Sequence, residues 1–132
     1  MISIGNAIYL SDSEESVIDK VKSAITDTNR ISVTDKGNPD VCMVSLYQKS
    51  FNAEEYDNIC EMCRNADIGC VACKKVLYTK LNDTLAPARE RRVYYESHRS
   101  DVREMVLSGT AKANILGTET IQSVKSAMKI TL

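Results

Sequence analysis

The chain has 132 residues, of which 43% are apolar and 27% charged, enough for one domain with a moderate core and of ordinary globular composition. No apolar run is long enough to cross a bilayer, and the N-terminus has no basic, apolar and cleavage regions of a targeting peptide, so a cytoplasmic location is expected. The formal net charge of −1 hides an asymmetry: residues 1–60 carry five basic and ten acidic side chains, residues 74–103 eight basic and four acidic.

Taken in chain order, Ile2 to Leu10 is short and partly alternating, with Gly5-Asn6 as a turn signal, so residues 1–12 read as an extended lead-in. Asp12 and Glu15 form a capping box, and Val17, Ile18, Val21, Ala24 and Ile25 recur at helical spacing, which predicts a helix over 13–27. Thr28 to Gly37 is polar and reads as a loop. Asn38-Pro39 has the form of an N-cap followed by proline at the first helical position, predicting a helix over 39–50 with Cys42 in its first turn, where a thiol's pKa is lowered. Asn52 with Glu55 opens a third helix whose apolar side holds Tyr56, Ile59, Cys60 and Cys63.

Gly69 is expected to break that helix and to supply a positive φ or a close backbone approach. Cys73, Leu77, Leu81 and Leu85 carry a helix to about residue 85; Pro87 kinks or restarts it, and Arg89 to Ser97 continues it as a basic helix. Asp101 caps a segment to Leu107, Gly109 marks a junction, and Ala113, Leu116, Thr120, Val124 and Met128 define a last long helix. No βαβ or strand-rich pattern occurs. The expected fold is all-α, a single bundle of about six helices over residues 13–132. With no Trp and one Phe, its core must be aliphatic.

All five cysteines fall in one quarter of the chain: Cys42, Cys60, Cys63, Cys70 and Cys73. The last four form two C-x2-C pairs, a spacing that lets neighbouring sulfurs turn toward one centre. Such a centre is either zinc in four thiolates or an iron–sulfur cluster. An odd count without a signal peptide argues against a disulfide framework, and the missing βαβ pattern against a thiol redox enzyme. Cys60 lies beside Tyr56 and Ile59, which makes it a candidate for the core as well as for a ligand. The basic segment with Lys74, Lys75, Arg89, Arg91 and Arg92 suits either a phosphate-facing patch or a solvated helix face laced with Glu. His98, the single histidine, lies in a polar turn and is assigned no catalytic role.

Several phrases occur together and in order: Ser3-Ile-Gly-Asn-Ala-Ile-Tyr-Leu-Ser-Asp12, Val21-Lys-Ser-Ala-Ile-Thr-Asp27, Cys42-Met-Val-Ser-Leu-Tyr-Gln-Lys49, Cys63-Arg-Asn-Ala-Asp-Ile-Gly-Cys-Val-Ala-Cys-Lys-Lys75, Leu85-Ala-Pro-Ala-Arg-Glu-Arg-Arg92 and Val124-Lys-Ser-Ala-Met128. Over nearly its whole length the chain resembles the C-terminal part of the bacterial tryptophanyl-tRNA synthetases, a class I family. The resemblance implies a helical anticodon-binding domain over 13–132, preceded by a short remnant after the KMSKS loop over 1–12. It implies tRNA(Trp) and the catalytic domain of the same enzyme as partners. The lysine-bearing part of KMSKS and the HIGH-type motif have no counterpart here. The chain alone is therefore not expected to activate tryptophan, and ATP belongs to the full-length enzyme only. Because the family dimerises mainly through its catalytic domain, a monomer is expected.

Some members of that family hold a 4Fe-4S cluster on a cysteine followed, after a long gap, by C-x6-C-x2-C. The resemblance maps these ligands onto Cys42, Cys63, Cys70 and Cys73, leaving Cys60 as a spare thiol and the alternative first ligand. Met43 stands where the family usually has proline, and the gap from Cys42 to Cys63 is shorter than the usual pattern. On this reading Arg64, Lys74, Lys75, Arg89, Arg91 and Arg92 face the anticodon arm, and Arg64, Asn65 and Asp67 lie near the single-stranded bases. The competing expectation is a zinc-stapled structural or interaction domain, with zinc on Cys60, Cys63, Cys70 and Cys73 and with Cys42 in the core.

Overall fold

Ser13 accepts a hydrogen bond from the Ser16 N–H and so opens the first helix of the computed structural model, which describes residues 7–130. The described part is all-α, with five helices and no strand: α1 Glu14–Ser23, α2 Met43–Phe51, α3 Ala53–Asn65, α4 Cys70–Ser97 and α5 Arg99–Ala127. The Gly5-Asn6 turn and the start of the lead-in lie outside the described residues.

The helix count is five rather than about six, and two expected breaks do not occur. Pro87 lies inside α4. Its missing N–H frees the Asp83 carbonyl, and both residues are on an exposed side open to solvent. Gly109 lies inside α5, where a glycine costs about 1 kcal/mol against alanine, too little to end a long helix. The expected helix over 39–50 instead divides. Asn38 caps a three-residue 3-10 turn, Pro39–Val41, by accepting from the Asp40 N–H at 3.0 Å. Cys42 is then extended and serves as the N-cap of α2 rather than sitting in its first turn.

Two further local expectations change. Asp12 is not the cap of α1; its carboxylate accepts from the Tyr9 N–H at 2.8 Å and from Lys20 Nζ at 2.6 Å, and those hydrogen bonds, the one from Lys20 foremost, hold it below the usual carboxylate range. The left-handed residue after α3 is Ala66, with φ 64°, and not Gly69. The Ala66 cap places the Asp67 N–H on the Met62 carbonyl at 2.8 Å.

The chain divides into two compact units, one ending at Arg89 and the other beginning at Glu90. The core of the first is aliphatic, as the composition requires. Val17 and Val21 from α1, Val44 from α2, and Leu77, Leu81 and Leu85 from α4 form one buried cluster, with Ile8, Ala24, Cys42, Tyr47, Cys73 and Tyr78 packed against it. Burying each of the larger side chains contributes roughly 1.5–3 kcal/mol. In the second unit α5 buries no residue, and Ile115, Leu116, Ile121, Val124 and Met128 are all exposed. No described helix is long and apolar enough to cross a membrane.

Candidate functional site

Three helix ends bring the cysteines together. Cys42 caps α2, Cys63 stands in the last turn of α3, and Cys70 and Cys73 form the first turn of α4. All four are free and half-buried, whereas Cys60 is buried. Cys60 Sγ lies 3.8 Å from the Ser45 hydroxyl and is 5% exposed beside Ile59. It takes the packing role that its position on the apolar side of α3 suggested.

Two of the half-buried thiols, Cys73 and Cys63, are raised. Burial pushes Cys73 up to about 11, a hydrogen bond from Gln48 pulls against this, and Cys42, Cys63 and Cys70 add to the rise. Burial likewise raises Cys63, the Arg30 guanidinium opposes it, and Cys42, Cys70 and Cys60 reinforce it. Metal uptake here must therefore displace protons from Cys63 and Cys73. Among the described residues no three His, Cys, Asp or Glu side chains are gathered tightly enough to hold one metal ion. The thiols are neighbours without converging on a single point, as four sulfurs about 3.8 Å apart around zinc would have to.

Three residues that spacing did not single out complete the surroundings. Gly37, in the loop before α2, is buried; its N–H donates to the Cys63 carbonyl at 3.0 Å, and a Cβ added there would meet Cys63 Sγ at 2.5 Å. The hollow beside the sulfur exists only because this residue has no side chain, whereas Gly69, the glycine expected to make a close approach, has only an ordinary contact with Val33 at 3.6 Å. Arg30 Nη1 lies 3.8 Å from Cys63 Sγ, while its Nη2 donates to the Val33 carbonyl at 2.8 Å. Gln48 Nε2 donates to the Cys73 carbonyl at 3.0 Å and lies 3.7 Å from its sulfur. Donors aimed at sulfur suit a group that becomes a thiolate.

The loop that presents Arg30 and Gly37 is closed by Asp27. This buried carboxylate accepts from the Asn29 N–H at 2.9 Å and the Asn38 N–H at 2.8 Å. Asn52 is also buried. Its Nδ2 donates to Gln48 Oε1 at 3.1 Å and to Glu55 Oε2 at 3.2 Å, leaving its Oδ1 without a partner. An unsatisfied buried acceptor costs about 1–3 kcal/mol.

The basic candidates separate into two kinds. Arg89 is tied into the fold: Nε donates to the Asp12 carbonyl at 2.9 Å, Nη2 to Asn82 Oδ1 at 2.8 Å, and Nη1 lies 3.9 Å from Glu14. Lys74 Nζ donates to the Lys22 carbonyl at 2.7 Å, which joins α4 to α1. The exposed cations are Arg64, 3.6 Å from Asp40, together with Lys75, Arg91 and Arg92, the last 3.8 Å from Glu96. Exposed pairs of this kind are worth about 0–1 kcal/mol and yield readily to a competing anion. Asn65 and Asp67 are exposed as well. His98 stacks on Tyr94 with ring centroids 4.1 Å apart at the start of α5, a structural position.

Comparison with known proteins adds a second line of argument. The model of the family "tRNA synthetases class I (W and Y)" matches residues 3–86. The tryptophan–tRNA ligase of Aquifex aeolicus is 35% identical over 130 residues, covering 97% of this chain and 33% of the relative. That of Thermotoga maritima is 34% identical over 132 residues, covering 97% and 40%; that of Streptococcus pyogenes serotype M3 is 37% identical over 132 residues, covering 97% and 39%. The chain thus spans between a third and two fifths of the length of these relatives.

Proposed function

The chain belongs to the class I tRNA synthetases of the W and Y group, and we propose that it is the anticodon-arm-binding module of a tryptophan–tRNA ligase, carrying a four-iron, four-sulfur cluster on Cys42, Cys63, Cys70 and Cys73. The observation that carries the tRNA reading is the similarity of 97% of the chain to the tryptophan–tRNA ligases of Aquifex aeolicus and Thermotoga maritima. Its partners on this reading are tRNA(Trp) and the catalytic domain of the same enzyme. Of the six basic candidates, Lys75, Arg91, Arg92 and Arg64 are exposed and supply the phosphate contacts. Arg89 and Lys74 act by holding the fold.

The cluster reading is supported by the donor set. Four half-buried thiols share the site, two of them, Cys63 and Cys73, pushed up by burial and by the other sulfurs, a hollow kept open by Gly37 adjoins Cys63, and N–H donors face two of the sulfurs. Ligand sulfurs of a cluster sit on different irons and stand farther apart than those around one zinc ion. Bound there, the cluster supplies a four-way cross-link between the ends of α2, α3 and α4. The zinc set would need Cys60, whose sulfur faces Ser45 instead.

Anaerobic reconstitution with iron and sulfide separates the two ligand sets. Cys42→Ala is expected to lose the brown absorbance and most of the iron, and Cys60→Ala to keep about four irons per chain. The reverse pattern, or stoichiometric zinc without iron, would reject the cluster. For the tRNA reading, the Arg91→Glu, Arg92→Glu double variant is expected to bind tRNA(Trp) at least tenfold more weakly near 0.1 M salt. It should also show a smaller salt slope, because each lost phosphate contact removes roughly 0.7–0.9 from it. Unchanged binding would show that these arginines do not face the RNA.

A further inference from the structure

Gln48 is entirely buried and Asn52 nearly so, at 0% and 4% exposed. Two amide side chains inside an aliphatic unit need a reason, since burying polar groups is unfavourable unless every hydrogen bond is recovered. Here one is not: Asn52 Oδ1 has no partner. We propose that Gln48 is a positioning residue for Cys73 that sets how readily the centre on Cys42, Cys63, Cys70 and Cys73 accepts an electron, with Asn52 holding Gln48 in register. This rests on the cluster reading above.

The orientation of both amides is fixed by chemistry. Gln48 Nε2 faces the Cys73 carbonyl at 3.0 Å and the Cys73 sulfur at 3.7 Å, and an amide nitrogen has two N–H groups, so both contacts form together. Turned over, Gln48 would set its oxygen against a carbonyl that can only accept. Asn52 Nδ2 lies between Gln48 Oε1 at 3.1 Å and Glu55 Oε2 at 3.2 Å, both acceptors. It too has one workable orientation. The result is a chain from Glu55 through Asn52 and Gln48 to the sulfur, in which the Asn52 carbonyl goes unsatisfied while the N–H on sulfur is kept.

An N–H on a ligand sulfur stabilises negative charge, and reduction by one electron increases that charge. The donor therefore favours the reduced state and raises the potential. In a titration the electron comes from dithionite; no bond to sulfur is broken and no proton need move.

The test is an anaerobic dithionite titration of the reconstituted 132-residue chain, followed by electron paramagnetic resonance, comparing wild type with Gln48→Met. Methionine fills a similar volume without an N–H. The expected result is wild-type iron content with the reduction equilibrium at least tenfold less favourable, which is 59 mV lower for a one-electron couple. An unmoved potential in a fully loaded variant overturns the proposal. If Gln48→Met does not load, Asn52→Ser decides, since it removes the bond to Gln48 and keeps Gln48 itself: a smaller fall upholds the proposal, and an unmoved potential overturns it. If wild type takes up no iron and sulfide, the cluster reading itself fails and takes this inference with it.

Discussion

Replacing Gly37 by alanine is expected to abolish cluster loading, although residue 37 offers no ligand. The new Cβ would lie 2.5 Å from Cys63 Sγ, with Arg30 Cδ and Nη1 both at 3.4 Å behind it. A cysteine side chain has one torsion, so the sulfur can escape only by a different rotamer, which removes it from the other three, or by displacement of the loop. The loop is held by the Gly37 N–H on the Cys63 carbonyl and by the Asp27 carboxylate on Asn29 and Asn38. Overpacking of this kind costs about 1–3 kcal/mol in the apoprotein. Iron and sulfide per chain after reconstitution should fall at least tenfold, with the apoprotein's far-ultraviolet circular dichroism little changed. Full loading of Gly37→Ala would mean that the hollow beside Cys63 is not needed.

Leu77→Ala should be the most damaging substitution in the core. Leu77 is 2% exposed and joins α4 to Val17 and Val21 of α1 and Val44 of α2 within one cluster. Large-to-small changes at such sites cost about 2–5 kcal/mol, because the surroundings close only partly around the cavity. For a unit of this size that lowers the thermal midpoint by roughly 10–20 °C. Ile115→Ala, at a position 62% exposed, provides the contrast, with an effect within about 0.5 kcal/mol. A midpoint for Leu77→Ala within about 3 °C of wild type would show that the cluster does not carry the stability of this unit.

Much of the fold was legible because its signals are local and repeated. Val17 and Val21 on α1, and Leu77, Leu81 and Leu85 on α4, mark buried faces at helical spacing, and the predicted all-α class follows from them. Boundaries were less legible. Pro87 and Gly109 read as breaks, yet α4 and α5 run through them, whereas the 3-10 turn at Pro39–Val41 came from a cap signal that does not specify how long the helix after it will be.

Within the candidate site, the spacing of Cys60, Cys63, Cys70 and Cys73 pointed to thiol chemistry, and the neighbours of Cys60 on α3 pointed to its packing role. Gly37, Arg30 and Gln48 were invisible because each meets its cysteine across a sequence gap of more than twenty residues, where no periodicity operates. Arg89 looked like its basic neighbours in sequence. Its ties to the fold, on the Asp12 carbonyl, Asn82 and Glu14, join residues distant in sequence and leave no mark in the local pattern.

The exposure of α5 has a consequence for how the chain unfolds. No side chain from Glu90 to Ile130 is buried. Heat-capacity increment and denaturant slope both measure surface released on unfolding, and a segment that hides little has little to release. Both quantities will follow the unit ending at Arg89 and fall short of what 132 residues would give. In thermodynamic size the chain is smaller than its length.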